Sequence, residues 1–343
     1  MITAVTGATG HVGANLIRAL LEQGRTVRVL VRTDRRAIEG LNVETVEGNI
    51  DDPESLCRAF DGVEVAYHLA TYISLLMSEW PQCEMVNING TRNVVEACLH
   101  TGVRRLVHFS SIHALEQEPK DIPVDEMRPL VTSRRCPPYD RSKAAGEREV
   151  REGIERGLDA VIINPTGIIG PYDYKPSYFG EVLLSFARGN MPALIDAGFN
   201  WVDVRDVVKG AMQAEKRAST GVKYLLSGHW ASMRDLAAMV AGAINVSCPG
   251  FACPLWVADI GAPFATAFAR LAGKRPLYTR VALMALRGNR SISHERATRE
   301  LDYHPRPLSQ TIADTLRWFE ENGQLTGGYK HRSQGYNERK NIL

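Results

Sequence analysis

The chain has 343 residues, enough for two ordinary domains or one large domain with an appended lobe. Hydrophobic residues at 44% and charged residues at 23% are globular proportions, and a formal net charge of +2 gives no reason to expect a nucleic-acid partner. Six cysteines stand singly at 57, 83, 98, 136, 248 and 253, with no CxxC pair and no histidine at ligand spacing, so no metal is expected and the thiols read as those of a cytoplasmic protein.

Ile2 to Thr6 reads as a buried strand, expected to leave no room for a secretory signal. Ala14 to Leu21 has the periodicity of a helix packed on a sheet. Between them lies a glycine turn with Gly7, Gly10 and Gly13 spaced GxxGxxG. Strand, glycine turn and helix N-terminus together make an anion site, because glycine lets the backbone approach a ligand and the free N–H groups and helix dipole favour a pyrophosphate. The spacing differs from the commonest GxGxxG fingerprint, and similar turns occur without ligand in plain α/β folds. Gly7, Thr9, Gly10, His11, Val12 and Gly13 are the candidate cofactor contacts here.

Thr26 to Val31 forms a second strand that ends at Arg32. In a doubly wound sheet a carboxylate at this point binds the 2′-hydroxyl of NAD, whereas an arginine accommodates the 2′-phosphate of NADP. Arg32 and Arg35 are candidate contacts, Arg36 follows, and Asp34 lies past the expected position. The alternative is a solvated basic loop; the favoured reading is NADP(H), with NAD(H) possible. Val43 to Val46 makes a third strand, after which Asn49 and Ile50 are candidate contacts to the adenine. Pro53 opens a helix containing Leu56 and Phe60, and Val63 to Ala70 is a fourth strand, with Leu69, Ala70 and Thr71 candidate contacts at its end. A helix opens over Asn87 to Thr91, and Arg105 to Ser111 is a fifth strand ending in two serines. His68 and His108, inside strands, read as packing or hydrogen-bonded residues.

Pro137 and Pro138 predict a helix start near Tyr139, which places Tyr139 and Lys143 four residues apart on one face. Ala160 to Asn164 is a sixth strand running into a turn, where Pro165, Thr166 and Ile168 are further candidate cofactor contacts. The β–α alternation then gives way to helical stretches at 180–188, 204–216, 233–244 and 308–321, read as a smaller lobe. The predicted organisation is an α/β doubly wound parallel sheet over 1–166, with 195–222 returning to it. A lobe covers 167–194 and 223–325, and 326–343 reads as a poorly ordered tail. Phe251 to Ala272 is apolar but interrupted by Asp259, Arg270 and two prolines. No integral membrane segment is expected there; a lid or lobe helix is favoured over peripheral membrane contact.

Six pieces in this order carry a resemblance: Gly7 to Gly13, His68 to Ala70, Asn87 to Thr91, Ser110-Ser111, Tyr139 to Lys143 and Asn164 to Gly167. With them the chain resembles the extended short-chain dehydrogenase/reductase family along nearly its whole length. The resemblance implies a Rossmann domain carrying the cofactor, a C-terminal α/β substrate-binding lobe closing over a small-molecule carbonyl or alcohol substrate, and a homodimer. It also implies catalytic roles for Ser111, which polarises a carbonyl, and Tyr139, the proton donor. Lys143 lowers the tyrosine's pKa together with the nicotinamide and holds the ribose, and Asn87 helps orient it through water. His113 is expected either to touch substrate or to pack its loop.

Arg32 and the segment Gly170 to Ser177 look like the dihydroflavonol reductase and aldehyde/ketone reductase branch, whose bacterial members are epimerase/dehydratase-like. Asn49 replaces a frequent aspartate, and an amide can still reach adenine. Phe199 replaces the arginine that holds the nucleotide in members acting on nucleotide sugars. The expected activity is NADPH-dependent reduction of a small to medium, fairly apolar ketone or aldehyde. The alternatives are a nucleotide-sugar epimerase or dehydratase with tightly bound NAD, a 3-beta-hydroxysteroid-type dehydrogenase, and a non-catalytic redox-sensing binder. Intact Tyr139 and Lys143 argue against the last.

Overall fold

The computed structural model describes residues 1–325 apart from 192, 245, 247–250, 272, 274 and 275; the expected tail at 326–343 and Cys248 lie outside the described residues. Short apolar runs and amphipathic helices alternate as β1 (Ile2–Thr6), α1 (His11–Glu22), β2 (Thr26–Val31), β3 (Glu44–Glu47), α2 (Pro53–Phe60) and β4 (Val65–His68). Then come α3 (Trp80–Cys83), a π-helical stretch (Glu84–Asn89), α4 (Gly90–Thr101), β5 (Arg105–Phe109), α5 (Pro138–Glu155), β6 (Ala160–Pro165) and β7 (Gly167–Ile169). The second half holds α6 (Tyr178–Ala187), β8 (Leu194–Ile195), β9 (Gly198–Asp203), α7 (Val204–Arg217), β10 (Lys223–Leu226), β11 (His229–Ser232) and α8 (Met233–Ile244). It ends with β12 (Ala252–Cys253), α9 (Leu255–Leu271), α10 (Arg280–Ala285), α11 (Glu295–Leu301) and α12 (Leu308–Glu321).

Seven parallel strands form one sheet in the order β10-β6-β5-β4-β1-β2-β3. Helices cover both faces, so neighbouring strand residues feed different cores. Tyr67, Val107 and Ile163 pack on the α1 and α7 side with Leu16, Ile17 and Val207. Ala66, Leu106 and Ile162 pack on the α2, α4 and α5 side with Leu56, Phe60 and Val150. The strand order reverses between β1 and β4, and in such a Rossmann sheet the ligand crevice lies beyond the carboxyl ends of the strands at that reversal. Gly7 and Leu69 stand at those two ends.

The lobe has its own core of Leu183, Phe186, Trp201, Leu236, Ile312 and Phe319. Its main sheet runs β11-β9-β7, with β9 antiparallel to β11 and parallel to β7, and a second pair joins β12 to β8. The return to the large sheet differs from the expected 195–222. β8 and β9 stay in the lobe, where Trp201 is buried, α7 returns to pack on α1, and β10 at 223–226 forms the sheet's edge beside β6. A parallel partner for β6 needs a crossover helix first, and α7 is that helix.

Three side chains on successive turns of α1 tie the two parts together. His11 Nε2 lies 3.1 Å from the carbonyl oxygens of Gly170 and Pro171, and Asn15 Nδ2 donates to Pro171 O at 2.9 Å. Arg18 donates to the Tyr174 hydroxyl at 2.7 Å and stacks 4.4 Å over the Tyr172 ring, whose residue has φ 63°.

Candidate active site

The glycine turn is shaped by contact. Gly7 has φ 73°, and a Cβ there would stand 2.5 Å from the Ala70 nitrogen; one on Gly13 would stand 2.3 Å from the Gly7 oxygen. Gly10 is the N-cap of α1 and no side chain caps that end. The first N–H groups of α1, those of His11, Val12 and Gly13, are thus left for an external anion. These features fit a dinucleotide pyrophosphate, with Thr9 half-buried beside them. The His11 ring turns to the lobe carbonyls, so a cofactor contact from this residue would come from its backbone N–H. Gly13→Ala should cost about 1–3 kcal/mol of stability, because the added methyl meets backbone that cannot yield. Nucleotide affinity should fall with it; urea unfolding and a nucleotide titration check both.

Arg32 lies exposed one residue past β2, with no ion pair or hydrogen bond shown to its guanidinium among the described residues. Its neighbours are engaged. Arg36 grips Asp34 through two bonds of 3.0 and 2.7 Å, which lowers the Asp34 carboxyl to about 2, and Arg35 pairs with Glu47 at 2.5 Å. Asn49 is half-buried and accepts from the Ile50 N–H at 2.9 Å, leaving its amide nitrogen for a ligand. Ile50 itself is buried under Gly90, where a Cβ would come within 2.5 Å of it.

Asn87 is the hub of the next layer. Its Oδ1 accepts from Thr71 Oγ1 at 3.0 Å and Tyr72 N–H at 2.8 Å, while Nδ2 donates to Tyr72 O and to Ser142 Oγ, each at 2.9 Å. This fixes the loop that carries Leu69, Ala70 and Thr71 against α5. Asn87 lies in the π-helical stretch, and Gly146 of α5 approaches so closely that a Cβ would be 2.4 Å from Asn87 O. Local widening of this kind recurs at functional sites. Asn87 thus binds Tyr72 and Ser142, the residue next to Lys143, directly.

Ser111, Tyr139 and Lys143 converge at the ends of β5 and α5. Helix α5 starts at Pro138, in keeping with the fixed φ of proline at a first helical position. The Ser111 hydroxyl caps a tight turn, accepting from His113 N–H at 3.2 Å, and also hydrogen-bonds Tyr139. Lys143 is buried and donates to Phe109 O at 2.6 Å; burial lowers its pKa to about 8, with Glu147 pulling the other way. Burial pushes Tyr139 up to about 12; the Ser111 bond opposes this, while Asp140 and Cys83 add to it. In the chain alone solvent exclusion outweighs Ser111 and the lysine is held on a backbone carbonyl; the expected lowering concerns Lys143 acting together with a bound nicotinamide.

Pro165 and Thr166 are buried and Ile168 is half-buried where β6 passes into β7. Just before them, Asn164 donates to Ser111 O at 2.9 Å and to Glu147 Oε2 at 3.2 Å. Glu147 is fully buried, and Lys223 meets its other oxygen at 2.5 Å. Sequence reasoning missed Glu147, although its position four residues after Lys143 puts it on the same helix face.

On the substrate side, Ile112, His113, Phe199, Asn200, Ala285 and Asn289 line a cleft. The His113 ring lies 5.6 Å from Phe199 and 6.2 Å from Tyr139, with Nδ1 3.6 Å from Asp140 Oδ1. Burial lowers the His113 pKa, but the charge and hydrogen bond of Asp140 outweigh it and leave it raised. His68 is hydrogen-bonded to Thr6 at 2.7 Å and Thr91 at 3.1 Å, and burial, then Lys143, lower its pKa to about 3.

Sterol demethylase protein B of Methylococcus capsulatus is 33% identical over 331 residues, covering 95% of this chain and all of that one. A putative dihydroflavonol 4-reductase of Synechocystis sp. is 31% identical over 327 residues, covering 94% of this chain and 95% of that one. The crystal structure of gox2253 superimposes with a TM-score of 0.83 at 36% identity, covering 95% of this chain and 99% of that chain. A model of the NAD dependent epimerase/dehydratase family matches residues 3–226, from β1 to the end of β10. That stretch contains the glycine turn, Asn87, Ser111, Tyr139 and Lys143. The chain belongs to this family, within the extended short-chain dehydrogenases/reductases, and is an NAD(P)-dependent oxidoreductase.

Proposed function

We propose that the chain reduces a ketone or aldehyde on a small to medium, fairly apolar substrate with NADPH as reductant. The observation that carries the cofactor choice is the pairing at the end of β2. Asp34, the nearby carboxylate, is committed to Arg36, while the exposed Arg32 guanidinium stands ready to fork onto a 2′-phosphate. Gly7, Gly10, Gly13 and the α1 N-terminus would hold the pyrophosphate. Asn49 and Ile50 would meet the adenine, and Leu69, Ala70, Thr71, Pro165, Thr166 and Ile168 would border the rest of the dinucleotide. When bound, the nicotinamide supplies the hydride.

Ser111 would hold and polarise the substrate oxygen, and Tyr139, protonated throughout the neutral range at a pKa near 12, would give it a proton. The ammonium of Lys143 would favour the electron-rich oxygen left on Tyr139 and bind the ribose. Phe199 faces His113 where a nucleotide-binding arginine was the alternative, which suits an apolar substrate, and the reductase name of the Synechocystis relative agrees.

Fluorescence titration should show NADPH binding at least about tenfold tighter than NADH, roughly 1.4 kcal/mol, with Arg32→Ala erasing the difference. Preference for NADH, or NAD retained through purification, would replace this reading with the epimerase or hydroxysteroid one.

A further inference from the structure

Helix α9 carries an apolar face that the described residues leave open. Trp256, Ile260, Phe264 and Phe268 recur every fourth residue and Leu271 follows, so they form one stripe. They are between 64% and 89% exposed. Toward the protein, Leu255, Ala258 and Ala262 pack on Ile195, Ala197 and Leu283. Single exposed apolar residues are ordinary, but a continuous aromatic stripe marks a contact surface.

The charge of the surrounding sequence narrows what that contact is. From Phe251 to Arg290 the sequence has six basic residues and one acid, in a chain whose net charge is only +2. The acid, Asp259, is ion-paired with Arg287, Arg290 stacks 4.7 Å over the Trp230 ring, and Arg280 at the start of α10 is exposed. An aromatic and aliphatic helix face in a segment whose sequence is this basic suits the headgroup boundary of an anionic bilayer. A second copy suits it less, because a two-fold contact sets a patch against itself and would bring these like charges together. No helix among the described residues is long and apolar enough to cross a membrane, so the helix would lie in the plane of the surface.

We propose that α9 docks the protein peripherally on an anionic lipid surface, with Trp256, Phe264 and Phe268 inserted at the headgroup boundary. Ala285, at the end of the adjoining α10, lines the cleft beside His113, so the docking face and the cleft share one lobe.

Vesicle flotation of the full chain tests this, with phosphatidylcholine vesicles containing roughly one third phosphatidylglycerol against pure phosphatidylcholine. The wild type should float with the anionic vesicles and far less with the neutral ones, more weakly as salt rises. Combining Trp256→Ser, Phe264→Ser and Phe268→Ser should lower partitioning at least about tenfold, with an unchanged urea midpoint showing that the fold is intact. Brominated lipid should quench the wild type more than Trp256→Phe. Failure to float with either vesicle overturns the proposal, and so does flotation that the triple variant retains. A dimer that these substitutions split, without vesicle binding, assigns the face to a second copy.

Discussion

Tyr139→Phe should lower kcat for carbonyl reduction by about 100- to 10,000-fold while nucleotide affinity stays nearly unchanged, because only the proton-donating hydroxyl is lost. The ring keeps its place beside His113. The pH dependence follows from the two neighbouring groups. With Tyr139 near 12, its own ionisation lies above the working range, so the alkaline limb of kcat/KM belongs to Lys143. The working ammonium is complete below its pKa of about 8 and is lost above it, so kcat/KM should be level below pH 8 and fall beyond. Glu147 raises that pKa, and Glu147→Gln should therefore move the limb to lower pH. Retained activity in Tyr139→Phe, or a limb that Glu147→Gln leaves in place, would remove these residues from the roles proposed for them.

Glu147→Ala should destabilise the chain by about 3–5 kcal/mol, as expected when one partner of a buried ion pair is deleted. Glu147 is fully buried, and Lys223, itself buried, lies 2.5 Å from it. Burial already lowers the Lys223 pKa and Glu147 opposes that; without the carboxylate the ammonium is stranded among β6, β10 and α5. Adding Lys223→Met to Glu147→Leu should restore most of the stability, since replacing both charges by apolar groups is often neutral. Urea midpoints of the wild type, Glu147→Ala and the double variant decide this. A loss below about 1 kcal/mol in the single variant, or a double variant no better, would show that the pair is not what holds these elements. The single variant should also lose activity, because Asn164 bonds both Glu147 and the carbonyl of Ser111.

Much of the site was legible because its signals are local. The glycine turn sits between a strand and a helix within a few residues, Arg32 directly follows its strand, and Tyr139 and Lys143 share a face by helical spacing alone. Proline fixed the start of α5 in the right place. What escaped depends on distant partners. Glu147 reads as one acid among several on an amphipathic helix, and only Lys223, arriving on a strand after the whole of β7 to α7, reveals it as buried. That strand was itself read as lobe because its crossover is interrupted by lobe strands. The π-helical stretch has no local signature either; it accompanies the contact between Gly146 and Asn87 and the bonds of Asn87 to Tyr72 and Ser142. The burial that raises the Tyr139 pKa in the chain alone is equally invisible in sequence, since exclusion of water is a property of the assembled fold.

Helix α1 works as a lever with a load at each end. Its N-terminus faces the crevice, while His11, Asn15 and Arg18 grip residues 170–174. A ligand that drew the N-terminus inward would pull on residues 170–174 through these bonds, and one seated under the lobe would press back on the glycine turn. Thermodynamic reciprocity then requires each to change the other's affinity by the same factor. Any coupling between dinucleotide and substrate that α1 carried would therefore be felt equally from either site.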